Sequence, residues 1–386
     1  MKSLYQLLIT CVLLPATLSA APVASPRQDF WHTRGSQIVD SRGQVVRIVG
    51  VSWWGLETER FAPLGLDKRP MNDILAEVHS MGFNVVRLPY SNEMLHPGSK
   101  PVGIDYTINP DLKGLTPLEV MDYVIASAKA NGLRVILDRH RPGAAGQSAL
   151  WYTPQYSEQQ WIADWTMLAG RYRDNDTVVA FDLHNEPRDP ATWGSGDLAT
   201  DWRLAAERAG NAVLAVNPHV LVMVEGVSKV GNDTYWWGGN LSAAKQFPVR
   251  LTRPQQLVYS SHDYPPSVAE QSWFKASDFP ANLSEVWTAH WGFLAGENKT
   301  PVVLGEFGTR NATPQDRAWL AKLVGYLATR KIGAMYWSLN PESADTGGLL
   351  QPDWKTQDQG KLVALAPILS AAATPAATTR KPAQRK

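Results

Sequence analysis

The stretch TPLEVMDYVIASAKANGLRVILDRH, Thr116 to His140, holds one complete unit of an alternating fold. Thr116 stands where a side-chain oxygen can accept from an unpaired backbone N–H of a first helical turn, and Pro117 follows at the position where a missing N–H costs nothing. Leu118, Met121, Val124, Ile125 and Ala128 then form one apolar stripe. Asn131-Gly132 ends the helix, because both residues accept the backbone that closes a helix C-terminus. The run from Arg134 to His140 is apolar and β-branched until Asp138, the composition of a strand buried on both faces.

The same unit recurs in both directions. Strand-like runs are read at Val46–Trp54, Asn84–Tyr90, Arg134–His140, Val178–Pro187, His219–Gly226, Gln256–Tyr264, Pro301–Gly308 and Gly333–Asn340. Helices are expected from Ser157, with Trp161, Trp165 and Leu168 inward, and from Thr313, with a proline next and then Trp319, Leu320 and Leu323. Eight strands alternating with helices predict an α/β chain of (β/α)8 TIM-barrel architecture, one catalytic domain over 28–370. Ahead of it, Gln37 to Val46 reads as a hairpin turning at Ser41-Arg42-Gly43 and covering the bottom of the barrel.

The chain has 386 residues, and 37 Lys and Arg nearly balance 36 Asp and Glu, so nothing favours nucleic acid or an anionic membrane as partner. An uncharged ligand and a monomer are expected. Sixteen tryptophans supply flat faces that fill cores and also stack on sugar rings. Met1-Lys2, the apolar run Leu4 to Leu14 and the small residues up to Ala21 read as an export signal over 1–21, too short to span a membrane. The only cysteine, Cys11, lies inside it, so the mature chain is expected to be disulfide-free, secreted and extracellular, with the periplasm as transit and no membrane partner after signal removal. Ala371 to Lys386 is a tail of Ala, Thr, Pro, Lys, Arg and Gln, expected to be disordered. No Gly-Lys nucleotide loop, Gly-x-Ser-x-Gly elbow or His-Glu-x-x-His motif occurs, and no cofactor is expected.

In an eight-stranded barrel the site lies at the carboxyl ends of the strands. Those ends carry Arg87, Asp138-Arg139-His140, His184-Asn185-Glu186-Pro187, Glu225, His262-Asp263-Tyr264, Glu306 and Trp337. Cleaving an acetal needs one carboxylic acid for the departing oxygen and one carboxylate for the anomeric carbon, and Glu186 and Glu306 can be that pair. Asp138 and Asp182, two residues back from strand-end groups, are read as pointing into the barrel in structural roles, as is Glu225. His140 and His262 raise a zinc reading, but there is no His-x-His pair and Arg139 puts a cation among the ligands, so no metal is expected.

The segments Phe181-Asp182-Leu183-His184-Asn185-Glu186-Pro187 and Val303-Leu304-Gly305-Glu306-Phe307-Gly308 resemble the signatures of glycoside hydrolase family 5, the cellulase family. Arg87, His140, His262, Tyr264 and Trp337 stand at matching places, and the resemblance covers about Phe30 to Leu369. It implies Glu186 as acid/base, Glu306 as nucleophile and Asn185 as partner of the sugar 2-hydroxyl, with Arg87 and Tyr264 holding Glu306. It also implies net retention of configuration. Trp337 resembles the indole platform beneath the sugar being cleaved, and Trp53, Trp54, Trp236 and Trp237 are further possible platforms, each as well explained by core packing. Leu137 to Pro142 and the His-Asn-Glu-Pro context look most like secreted bacterial endo-β-1,4-glucanases, so a β-glucan polysaccharide or oligosaccharide is the expected substrate. Hydrolysis of mannan, xyloglucan or another β-glycan stays open, as does a catalytically silent carbohydrate-binding barrel. The chain stops after its tail without a cellulose-binding module, so soluble or amorphous glucan is expected over crystalline fibres. Asn-x-Ser/Thr triplets at Asn240 and Asn298 would matter in a glycosylating host.

Overall fold

The structure, a computed structural model, describes residues 28–369. The export signal read over 1–21, with Cys11, and the tail read over 371–386 lie outside the described residues. Eight parallel strands close a barrel: β1 (Val49–Ser52), β2 (Val85–Ser91), β3 (Arg134–Arg141), β4 (Val178–Asp182), β5 (Leu221–Glu225), β6 (Leu257–Asp263), β7 (Val302–Phe307) and β8 (Gly333–Tyr336). Each pairs with the next, and β8 pairs with β1. Around them lie α1 (Met71–Ser80), α2 (Pro117–Ala130), α3 (Glu158–Arg171), α4 (Trp202–Val216), α5 (Leu283–Trp287), α6 (Phe293–Gly296), α7 (Pro314–Arg330) and α8 (Gln359–Leu369). The (β/α)8 barrel expected from the sequence is therefore present, although a short hairpin, Lys229–Val230 with Asp233–Thr234, and two 3₁₀ turns, Ser242–Lys245 and Pro254–Gln256, stand in place of a helix between β5 and β6.

The helix starts follow local chemistry. Thr116 Oγ1 accepts the Glu119 N–H, and the Glu119 carboxylate reaches back to the Thr116 N–H, a reciprocal cap. Ser157 and Thr313 accept from Gln160 and Asp316 in the same way. On α2 the core-facing stripe includes Val120, while Leu118 is only half-buried.

Strand parity decides what the barrel encloses. Successive side chains alternate faces, so Val85, Ile136, Ala180, Leu221, Met223, Val258, Val303 and Met335 make one interior cluster. Two residues further along each strand the same parity aims Arg87, Asp138, Asp182 and Glu225 inward at the mouth. The barrel thus has an apolar floor and a charged top. Gln37–Val39 and Val45–Val46 form the expected hairpin, joined by a third strand, His32–Arg34, and Ile38 and Trp31 plug the lower end of the interior cluster.

Six of the strands run shorter than the runs read for them, while β2 is as long and β3 extends one residue further, to Arg141. Val46 belongs to the hairpin, so β1 starts at Val49, and β4 and β8 end at Asp182 and Tyr336, before Glu186 and Asn340. The tryptophans are mainly structural: nine of the twelve largest fully buried side chains are indoles. Trp161 and Trp165 on α3 both donate Nε1–H to the Leu183 carbonyl at 3.0 Å, and Trp202 on α4 donates to the Glu225 carbonyl at 2.8 Å. These bonds satisfy carbonyls that leave the sheet ladder just below the mouth.

Candidate active site

Glu306 reaches the mouth through a break in register. Ser261 pairs with Leu304, but the next pair is His262 with Glu306, so Gly305 is the extra residue of a bulge. Val303 points inward; without the bulge Glu306 would face the helices. Only glycine fits at 305, because a Cβ there would lie 2.1 Å from Ser260 Oγ.

Glu186 arrives differently. Beyond the end of β4, the Asn185 N–H donates to the Arg139 carbonyl at 3.1 Å, and Glu186 adopts a left-handed backbone with φ of 54°. A non-glycine residue in that region costs about 1–2 kcal/mol. The Glu186 N–H is held by Glu225 Oε2 at 2.8 Å. The side chain of Glu186 keeps 13% of its exposure, whereas that of Glu306 keeps 3%.

Arg87, fully buried, sits beneath both. Its Nη1 donates to Glu306 Oε1 at 2.5 Å, and its Nη2 lies 3.0 Å from Asp182, 3.2 Å from Asp138 and 3.4 Å from Glu225. The same nitrogen donates to Asn185 Oδ1 at 3.0 Å, while Asn185 Nδ2 is buried without a protein partner. Tyr264 donates its hydroxyl to Glu306 Oε2 at 2.7 Å. His262 Nδ1 lies 3.2 Å from Glu186 Oε1 and 3.5 Å from Glu306 Oε2. One oxygen of each glutamate and a ring nitrogen of His262 all fall within 4.8 Å of one another.

Burial pushes the Glu306 carboxyl up, but His262, Arg87, His140 and the Tyr264 hydroxyl outweigh it and hold the group at about 2. Burial works against a charged His262, yet Glu225 and Glu306 beside it push its value well above the ordinary histidine range. Burial raises the Asp182 carboxyl to about 6 and pushes the Glu225 carboxyl up as well, with His262 and Arg87 beside Glu225 working the other way. His140 bonds Asp138 through Nδ1 at 2.6 Å and stacks on Trp337, ring centroids 5.2 Å apart.

These groups open into a groove of about 410 Å³. Trp337 bounds it after β8, and Trp236 and Trp237 bound it after β5. Trp237 is 51% exposed, with the Arg188 guanidinium 4.2 Å above its ring, whereas Trp236 is largely buried and presents one edge. Trp54 lies apart, in a shallower pocket with Arg60 and Val102, its Nε1–H on Ser338. Trp53 is not a platform: it is 0% exposed and donates to the Leu64 carbonyl, because the residue after β1 turns under the rim. Asn240 is likewise unavailable for glycosylation, being buried with its amide on Asp233. Gln147, Tyr235, Gln271 and Asp345 line the groove and escaped the sequence reading, since they sit in loops with no periodicity to follow. Arg188 was within reach of it, two residues after Glu186.

The sequence pattern described as Cellulase (glycosyl hydrolase family 5) matches residues 39–343. The chain is 48% identical over 353 residues to an endoglucanase of Paenibacillus polymyxa, covering 90% of this chain and 88% of that one. It is 41% identical to the major extracellular endoglucanase of Xanthomonas campestris pv. campestris, covering 92% and 74%. Among solved structures, the catalytic domain of that Xanthomonas endoglucanase superposes with a TM-score of 0.85 at 41% identity, covering 88% of this chain and all of the other. The hyperthermophilic endocellulase of Pyrococcus horikoshii gives 0.85 at 40% identity, covering 89% and 99%. The chain belongs to glycosyl hydrolase family 5, the cellulase family.

Proposed function

We propose that the chain is a secreted, retaining endo-β-1,4-glucanase in which Glu306 is the nucleophile and Glu186 the acid/base. The observation that carries this reading is the approach of Glu186 and Glu306 oxygens within 4.8 Å at one groove. Retaining glycosidases hold their carboxyl groups about 5–5.5 Å apart, leaving no room for a water between nucleophile and sugar. In the first step Glu306 bonds to the anomeric carbon while Glu186 gives its proton to the departing oxygen. In the second, Glu186 takes a proton from water, whose oxygen displaces Glu306 and restores its charge. The Arg87 and Tyr264 donors keep Glu306 ionised for attack. The unpartnered Asn185 Nδ2 suits a sugar hydroxyl, and the indoles of Trp337 and Trp237 suit sugar faces. Arg87 pairs with both Glu306 and Asp138 beneath the groove.

For the substrate, the support is the endoglucanase relatives and the Pyrococcus endocellulase solved with cellotetraose. A groove open to solvent fits internal cleavage of a chain. Secretion is supported by the extracellular Xanthomonas relative, and among the described residues no helix is long and apolar enough to cross a membrane. The test is proton NMR of cellotetraose hydrolysis, with viscosity and reducing ends followed on carboxymethyl cellulose. We expect the β-anomer first, viscosity falling ahead of reducing ends, and no turnover by Glu306→Gln. Initial α-anomer would overturn the mechanism, and faster turnover of mannan or xyloglucan would overturn the substrate.

A further inference from the structure

Glu225 is one of three carboxylates at the mouth, with Asp138 and Asp182, that the two-glutamate chemistry does not use. It is fully buried at the end of β5, and each of its oxygens is engaged. Oε2 accepts the backbone N–H of Glu186 at 2.8 Å. Oε1 lies 3.2 Å from His262 Nε2, an ion-pair contact too bent for a hydrogen bond, and 3.4 Å from Arg87 Nη2. Gly238 closes over it, with φ of 66° and a hypothetical Cβ only 2.2 Å from Oε2. Thus the carboxylate lies beneath the junction of the Glu186 turn and the loop carrying Trp236 and Trp237.

We propose that Glu225 is a positioning residue for the acid/base: through one oxygen it holds the left-handed backbone of Glu186, and through the other it keeps His262 charged between Glu186 and Glu306. This rests on the assignment of Glu186 as the acid/base. Two features separate the role from simple packing. An unfavourable backbone conformation persists only when something holds it, and the Glu186 N–H has Glu225 as its partner. In addition, His262 meets Glu225 with one ring nitrogen and both reacting glutamates with the other, so the charge of Glu225 is relayed to the site. The ionisable groups facing Glu225 are Arg87 from β2, Asp182 from β4, Glu186 beyond β4 and His262 from β6. Removing the negative charge of Glu225 therefore weakens the hold on the His262 proton and leaves Arg87 to the remaining carboxylates.

The test compares wild type with Glu225→Gln on two substrates. Cellotetraose needs a proton on its leaving oxygen, whereas 2,4-dinitrophenyl β-cellobioside loses its aglycone without one. For Glu225→Gln we expect kcat/KM on cellotetraose to fall by at least about thirtyfold, kcat/KM on the dinitrophenyl substrate to fall by less than about threefold, and the basic limb of the cellotetraose profile to move down by about one pH unit. An equal loss on both substrates, or no loss on either, overturns the positioning role while wild-type turnover leaves the enzyme assignment intact. No turnover of cellotetraose by wild type would instead sink that assignment. Should Glu225→Gln fail to fold, carbon-13 histidine NMR of the wild type, with the His262 signal identified by its loss in His262→Gln, decides. A ring still charged above about pH 8 supports the proposal, and one that titrates near its ordinary value of about 6.5 overturns it.

Discussion

Oε1 of Glu306 on β7 lies 2.5 Å from Nη1 of Arg87 on β2, joining two strands that two others, β8 and β1, separate in the barrel. The guanidinium also touches Asp138, Asp182 and Glu225, so four carboxylates from four strands share one cation. Arg87→Met would leave buried charges uncompensated. It should cost about 3–5 kcal/mol of stability at neutral pH and abolish turnover. Urea denaturation and an activity assay check both.

Tyr264 supplies one of the donors that hold Glu306 ionised. A hydrogen bond to a charged group is worth about 1.5–3 kcal/mol, or roughly one to two pKa units. Tyr264→Phe should therefore raise the Glu306 value and move the acid limb of kcat/KM to higher pH by about one unit, with kcat reduced about tenfold. A pH–rate profile with an unmoved acid limb would contradict the role given to the hydroxyl.

Glu306 also links stability to pH. Its ordinary value of 4.5 falls to about 2 in the fold, where His262 and Arg87 outweigh burial. A depressed carboxyl stabilises the fold above its unfolded value and loses that contribution as pH falls through its folded one. The stability difference between wild type and Glu306→Gln should accordingly shrink by about 3 kcal/mol between pH 5 and pH 2. Thermal or urea melts of both proteins across that window measure it.

Trp237 and Trp53 should respond in opposite ways. Removing the exposed indole of Trp237 should raise KM on cello-oligosaccharides severalfold and change the melting temperature little. Trp53→Ala should cost about 3–5 kcal/mol, as cavities left by large core residues do. Similar melting temperatures for the two variants would refute the distinction.

The barrel was legible because its signal is local and repeated. Caps at Thr116, Ser157 and Thr313 and apolar runs between them recur often enough that a misread boundary, such as Val46, leaves the count unchanged. The grouping of Arg87, His140, Asn185, Glu186, His262, Tyr264, Glu306 and Trp337 at one mouth followed from their standing at strand ends. Trp53 and Trp54 were not separable in the sequence, because neighbouring indoles look alike until the chain turns one under the rim and leaves the other at a shallow pocket.

Spacing and motif carry the order of strands and helices, the parity that turns acidic and basic residues into the barrel mouth, and the family. Three features come from the folded barrel alone: Gly305 bulges and swings Glu306 inward, Glu186 projects from a left-handed turn, and Glu225 contacts both that turn and His262. Those outcomes depend on contacts between strands far apart in the chain, where a shift of one residue in register turns a side chain from one face to the other.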